Sequence, residues 1–268
     1  MVRQPVVAGA FYPADARSLR HVVAHFMQAA DAPPGTRPPK ALIVPHAGYV
    51  YSGAVAGLAY ARLAPHADAI RRVVLLGPVH RVALRGLALP EADRFATPLG
   101  ELRVDHDAAA RLIAMPQVTV SARAHAQEHS LEVQLPFLQS VLGEFTLLPL
   151  AVGDATAEDV AGVLEALWEG AETLIVVSSD LSHYLPYAAA VQADGETIAG
   201  ILRGLPLDSF AQACGALPIN GLLLVAGRHA LKPRLLGRCN SGDTGGDRQR
   251  VVGYAAIEFV EDGEPQHD

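Results

Sequence analysis

The sequence predicts an α/β fold: a central sheet, mostly parallel or mixed, with helices on both faces, in a single domain covering residues 1–268. Three observations predict it. Half of the residues are hydrophobic and only 18% are charged, which gives enough apolar surface for a sizeable core and too little charge for a disordered chain. Short apolar runs, most of them rich in β-branched residues and each ended by Gly, Pro or Ser, recur in the manner of buried strands. Stretches of helical character separate these runs, and such alternation favours a parallel sheet flanked by helices over an all-β or all-α fold.

In chain order, a helix is expected over Ser18 to Ala30, closed by Ala32-Pro33-Pro34-Gly35-Thr36-Arg37-Pro38-Pro39. This stretch cannot continue the helix and reads as a loop rather than a domain linker. Strands are expected at Ala41 to Val44, Val73 to Leu76, Leu147 to Val152 and Thr173 to Val177. Helices are expected at Ser52 to Leu63, Asp107 to Ala114, Leu131 to Leu142, and Ala157 to Trp168 behind the capping pair Thr156 and Asp159. Gly237 to Gly253 is rich in residues that permit tight turns and reads as a loop before a last strand. The polar tail from Glu261 to Asp268 is expected to fray.

Composition excludes several classes. The net charge of -7, with no cluster of Lys and Arg, argues against a nucleic-acid surface. The cysteines Cys214 and Cys239 cannot build a disulfide framework, so the cytoplasm is the expected compartment. No basic segment followed by an apolar run opens the chain, and no stretch of about 18 apolar residues occurs, so neither signal peptide nor membrane span is expected. The pattern G-x-x-x-x-G-K-[ST] is missing, so no nucleotide cofactor is expected.

The chemistry collects where strands end. In open α/β sheets ligands bind beyond the carboxyl ends of the strands. Leu42-Ile43-Val44 runs into Pro45-His46, Val74-Leu75-Leu76 into Gly77-Pro78-Val79-His80, and Ile175-Val176-Val177 into Ser178-Ser179-Asp180-Leu181-Ser182-His183. Three imidazoles and a carboxylate at one sheet edge could hold a metal and move protons. Each of these histidines taken alone reads more readily as a hydrogen-bonded loop residue than as a ligand; their shared placement favours a site. His21, His25, His66, His106 and His229 are given no role.

Two further features bear on the pocket. His125-Ala126-Gln127-Glu128-His129 matches H-x-x-E-H, which on a helix sets two imidazoles on one face as inverted zinc peptidases require. Against a metallopeptidase, Pro136 follows within two turns and no distant acidic ligand stands out. The reading preferred is that Glu128 and His129 open a helix at the pocket rim and contact substrate there. Cys214, in Cys214-Gly215, is either a small buried apolar residue or a pocket thiol.

With these motifs in this order, the chain resembles the Memo family, whose prokaryotic members are often called AmmeMemoRadiSam system protein B. The resemblance starts at Ala8-Gly9-Ala10-Phe11-Tyr12-Pro13. It runs through Pro45-His46-Ala47-Gly48-Tyr49, Gly77-Pro78-Val79-His80, Glu128-His129-Ser130-Leu131-Glu132 and Ser179-Asp180-Leu181-Ser182-His183. It ends with Cys214-Gly215, Asn240-Ser241-Gly242-Asp243 and Arg250-Val251-Val252-Gly253-Tyr254.

The family is similar in fold to class III extradiol dioxygenases, non-haem iron enzymes that open catechol rings. The resemblance implies iron or copper held by His46 and His80, with His183 transferring protons beside Asp180. It leaves the third ligand open. Thr244 occupies the position where animal relatives have cysteine; a hydroxyl is a poor ligand, so the neighbouring Asp243 is the candidate, with Asp180 less plausible and Cys239 several positions off. The implied partners are a radical-SAM protein and an AMMECR-type domain protein, with a small molecule or peptide in the pocket. The function expected is a dioxygenase-like oxidoreductase; the competing expectation is a non-catalytic adaptor that recognises a peptide or partner through the same pocket. Substrate, metal and oligomeric state stay open.

Overall fold

Two hydrophobic cores, one on each face of a mixed sheet, organise the chain. The computed structural model describes residues 1–28 and 37–261. Most of the expected proline-rich loop, the end of the first expected helix and the tail after Glu261 lie outside the described residues.

The first half of the chain comprises β1 (Val2–Arg3), α1 (Ala16–Gln28), β2 (Ala41–Val44), α2 (Tyr49–Ala61), β3 (Arg72–Pro78), β4 (Leu87–Leu89), β5 (Arg94–Thr97), β6 (Gly100–Arg103), α3 (His106–Leu112), β7 (Val118–Val120) and α4 (Ala122–Ala126). The second half comprises α5 (Leu135–Val141), β8 (Thr146–Val152), α6 (Ala157–Ala166), β9 (Thr173–Ser178), β10 (His183–Leu185), α7 (Tyr187–Leu202), α8 (Ala216–Arg228), β11 (Leu231–Asn240) and β12 (Val251–Glu261). The main sheet runs β10-β12-β2-β9-β3-β8-β4-β7, with β11 also paired to β12; β1, β5 and β6 form a small separate sheet. The centre, β2-β9-β3-β8, is parallel, while β12 and β4 join it antiparallel on either side. The sheet is therefore mixed, with a parallel core.

Strand side chains alternate between faces. Ile43, Val74, Leu76, Leu148, Ile175 and Val177 enter one core with Val160 and Leu164 of α6 and Leu222 and Val225 of α8. Leu42, Val44, Val73, Leu75, Leu174 and Val176 enter the other, with Leu19 and Val23 of α1, Tyr60 of α2 and Phe137 of α5. Burial on both faces is why the strands read as continuous apolar runs. No helix among the described residues is long and apolar enough to cross a membrane.

The structure corrects some expected boundaries. The helix expected over Leu131 to Leu142 is a 3₁₀ turn, Glu132–Gln134, followed by α5, with Pro136 in its first turn; proline starts a helix but cannot sit inside one. The loop expected from Gly237 begins only after Asn240, because β11 continues through Gly237 by a register shift between Leu235 and Gly237. A glycine marks such a bulge as readily as a turn. Helices α7 and α8 were not among the expected elements. Alanine and glycine, which are frequent in Tyr187–Leu202, leave little apolar periodicity to read.

Candidate metal centre

The strand order sets the site. β2, β9 and β3 are parallel neighbours, with Val44 opposite Ser178 and Leu76 opposite Val177. Their carboxyl ends therefore deliver His46, the Ser178-Ser179-Asp180 run and His80 to one edge. His129 joins them from the coil between α4 and the 3₁₀ turn. The ring centroids of His46 and His80 lie 5.3 Å apart, those of His46 and His129 5.5 Å, and those of His80 and His129 4.8 Å. The three offer one ligand atom each, all within 4.8 Å of one another.

Two buried hydrogen-bond systems aim these rings. The Ser178 hydroxyl has one proton and donates it to the Ser130 carbonyl at 2.6 Å. It therefore accepts from Gln134 Nε2 at 2.8 Å and from His46 Nδ1 at 2.9 Å. His46 must then carry its proton on Nδ1, which leaves the Nε2 lone pair free. Gln134 is held in turn by Tyr60, whose hydroxyl donates to Gln134 Oε1 at 2.8 Å.

The second system centres on Glu128, which is buried. Its Oε2 accepts from the His80 backbone N–H at 2.6 Å, and its Oε1 from His80 Nδ1, His129 N and Ser130 N, each at 2.9 Å. With Nδ1 engaged by Glu128, Nε2 is the nitrogen left on the His80 ring as well. A histidine whose second nitrogen is fixed by a carboxylate or hydroxyl is the usual arrangement around a protein-bound metal.

Electrostatics agree with that geometry. Burial, then the neighbouring His80 and His129, hold His46 well below the ordinary imidazole value. Burial brings His129 to about 4, against the pull of Glu128. Burial also opposes the charge on Glu128, yet the His80 side chain and the surrounding N–H groups outweigh it and hold the carboxyl at about 2. The result is neutral His46 and His129 rings beside a fixed carboxylate. This donor set fits a divalent transition metal. Ser178→Ala is expected to remove about 1–3 kcal/mol of stability, because His46 Nδ1 and Gln134 lose a buried acceptor. Equilibrium urea unfolding checks this, and an unchanged midpoint would contradict the assigned hydrogen bonds.

The other residues singled out in the sequence fall into three groups. Asp180 is buried and lies outside the histidine group; its Oδ1 accepts from the His46 backbone N–H at 2.7 Å, so it anchors the His46 loop. Burial, opposed by the N–H groups of His46 and Ala47, raises this carboxyl to about 7. His183 starts β10 and, with His80, Cys214, Val82, Leu84 and Phe210, lines an adjoining pocket of about 670 Å³. Cys214 Sγ lies 3.4 Å from His46 Nε2 and accepts from Asp180 N at 3.3 Å. Burial, then Asp180, pushes its thiol up to about 12.

Thr244 and Asp243 do not join the group. Asp243 accepts from the Tyr187 hydroxyl at 2.6 Å and from Asn240 N at 2.9 Å, and Thr244 donates to the Ser241 carbonyl at 3.2 Å. His129 stands where the third ligand was sought. Nor do Glu128 and His129 open a helix: they lie in coil, so H-x-x-E-H does not present two imidazoles on one helical face. His125 instead donates from Nε2 to the Ala88 carbonyl at 2.9 Å and is absent from the group. The signal for His129 was the Glu-His pair itself, since a carboxylate there can gather neighbouring N–H groups and an imidazole at once.

Comparisons with known proteins bear on kinship and fold. A family model described as Memo-like protein matches residues 3–258. A MEMO1 family protein of Sulfolobus acidocaldarius is 35% identical, over 97% of this chain and 99% of its own. One from Aquifex aeolicus is also 35% identical, over 97% and 99% of the two chains. One from Methanopyrus kandleri is 36% identical with the same coverage. Among solved structures, an uncharacterized protein of Escherichia coli K12, JW3007, superimposes with a TM-score of 0.52 at 15% identity, covering 81% of this chain and 98% of that one. That last likeness is one of fold.

Proposed function

This chain belongs to the Memo family, and from that premise we propose that His46, His80 and His129 hold a divalent metal in a dioxygenase-like oxidoreductase pocket. One observation carries the reading: Ser178 and Glu128 occupy Nδ1 of His46 and His80, so Nε2 is the nitrogen each ring has left for a ligand bond.

Bound iron or copper would supply Lewis acidity and one-electron redox chemistry toward a small substrate or dioxygen. The chain's own residues supply the rest. The apolar wall of Val82, Leu84 and Phe210 offers a surface for the substrate body. Burial keeps His183 below the ordinary imidazole value, although its hydrogen bond to Leu181 opposes the shift, so at neutral pH the ring is poised to accept a proton from a group bound in that pocket. Asp180 holds the His46 backbone, and Cys214 faces the same space. The resemblance to class III extradiol dioxygenases supports iron as the metal. A cytoplasmic role alongside a radical-SAM protein and an AMMECR-type domain protein is part of the same proposal.

A second reading, an adaptor, draws on exposed apolar residues near the site. Val50 follows the His46 loop, Tyr184 follows His183, and Phe210 lies on the pocket wall; they are 69%, 61% and 61% exposed. Metal analysis of protein purified without chelator separates the two, since substoichiometric amounts of every transition metal favour the adaptor. His80→Ala is expected to weaken Fe²⁺ or Zn²⁺ binding by about tenfold or more, at least the effect of losing a group that merely orients a ligand. Unchanged affinity in a titration would remove His80 from the centre.

A further inference from the structure

His129 sits on a stretch with no helix or strand of its own, yet a metal ligand must be held closely. The residues that hold it come from the other end of the chain. Glu132, fully buried, accepts from the backbone N–H groups of Val6 (2.9 and 3.0 Å) and Val7 (3.0 Å) and from the Tyr12 hydroxyl at 2.6 Å. It also pairs with the Arg3 guanidinium. Arg3 spreads the rest of its fork over the same stretch, donating to the His125 carbonyl at 3.1 Å and the Glu128 carbonyl at 2.6 Å. Phe11 then sets its ring edge-on to His129, with centroids 5.1 Å apart, while its carbonyl accepts from Tyr49 N at 2.7 Å, just past the His46 loop. Residues 3–12 thus bridge the His46 loop and the His129 loop.

We infer that this segment is a strap that positions His129 for metal binding, with Glu132 as the positioning residue and Arg3, Tyr12 and Phe11 as its fastenings. The inference rests on the metal-centre reading above. A planar guanidinium bonding three acceptors, two of them backbone carbonyls on either side of Gln127, leaves the loop little freedom. Glu132 closes the same frame from below the ligand.

A buried ion pair could also serve stability alone, and the chain contains a comparator. Arg62 Nε donates to Glu258 Oε2 at 2.8 Å, with both side chains almost fully buried, in a pair that includes none of the site residues. The test is a Co²⁺ titration of the full-length chain, stripped of metal, followed by visible absorption. Glu132→Gln should weaken Co²⁺ binding about 10–100-fold and change the shape of the ligand-field bands. Glu258→Gln should lower the melting temperature while leaving both unchanged. Tyr12→Phe, which removes one neutral hydrogen bond and no charge, should fold even if Glu132→Gln does not, and should shift the bands in the same direction. The strap is overturned if Glu132→Gln or Tyr12→Phe folds and binds Co²⁺ with unaltered affinity and spectrum, or if Glu258→Gln produces the same changes. Wild-type protein that takes up no Co²⁺ overturns the metal centre as well, an outcome distinct from a wild type that binds and variants that bind equally.

Discussion

Glu128→Ala is expected to cost about 3–5 kcal/mol of stability and to weaken metal binding about 10–100-fold. The carboxylate gathers three backbone N–H groups and the His80 ring N–H in a buried position. Alanine strands all four donors, and each unsatisfied buried group is costly. It also frees the His80 ring, so fold and centre suffer together. The effect depends on pH. The folded carboxyl titrates at about 2 against an ordinary 4.5, so its contribution is fully present above pH 4.5 and fades as pH falls toward 2. The gap corresponds to roughly 3 kcal/mol. Urea unfolding of wild type and Glu128→Ala at pH 7, 4 and 3 should show the difference narrowing in acid. A difference that stays constant from pH 7 to pH 3 would rule out the ionised carboxylate as its source.

Gly253→Ala is expected to cost about 3 kcal/mol and to disturb His183. A Cβ at this position would lie 1.9 Å from Asp194 Oδ2, inside any allowed contact. Asp194 cannot simply withdraw: its Oδ1 accepts from the Ser182 backbone N–H at 3.0 Å, and Gly253 itself donates to the Ser182 carbonyl at 2.9 Å. The methyl therefore adds overpacking, about 1–3 kcal/mol, to a weakened buried hydrogen bond. Because Ser182 precedes His183, the histidine resonance in an NMR spectrum should move more than those of His21 and His25 on the distant α1. A variant with wild-type stability would show that Asp194 yields without cost.

The four central strands were legible because each is buried on both faces and so spells an apolar run rich in Val, Ile and Leu. Their order was not, since pairing is a matter of tertiary contact, and β2-β9-β3 brings together segments more than 130 residues apart. His46 and His80 were legible for the same reason as their strands: each stands just past the end of one. Asp180 was legible as a carboxylate just past a strand end, though its grip on the His46 backbone was not. His129 was not read beside His46 and His80 because its neighbours are Glu128, which folds back on His80, and residues 3–12, and none of these contacts leaves a local periodicity. Thr244 drew attention through a count from Tyr254; its hydroxyl turns instead to the nearby Ser241 carbonyl.

Strand β10, which begins at His183, pairs only with β12 among the described strands, whereas β2, β9, β3 and β8 pair with one another. Order of synthesis therefore separates the two ends of the pocket. The strands that end before His46, His80 and Asp180, and the loop that bears His129, all precede β12, which begins at Val251. The His183 wall gains its template only afterwards. The segment that begins at His183 is thus tied to the main sheet through the last strand, whereas the strands that end before His46, His80 and Asp180 are tied to one another.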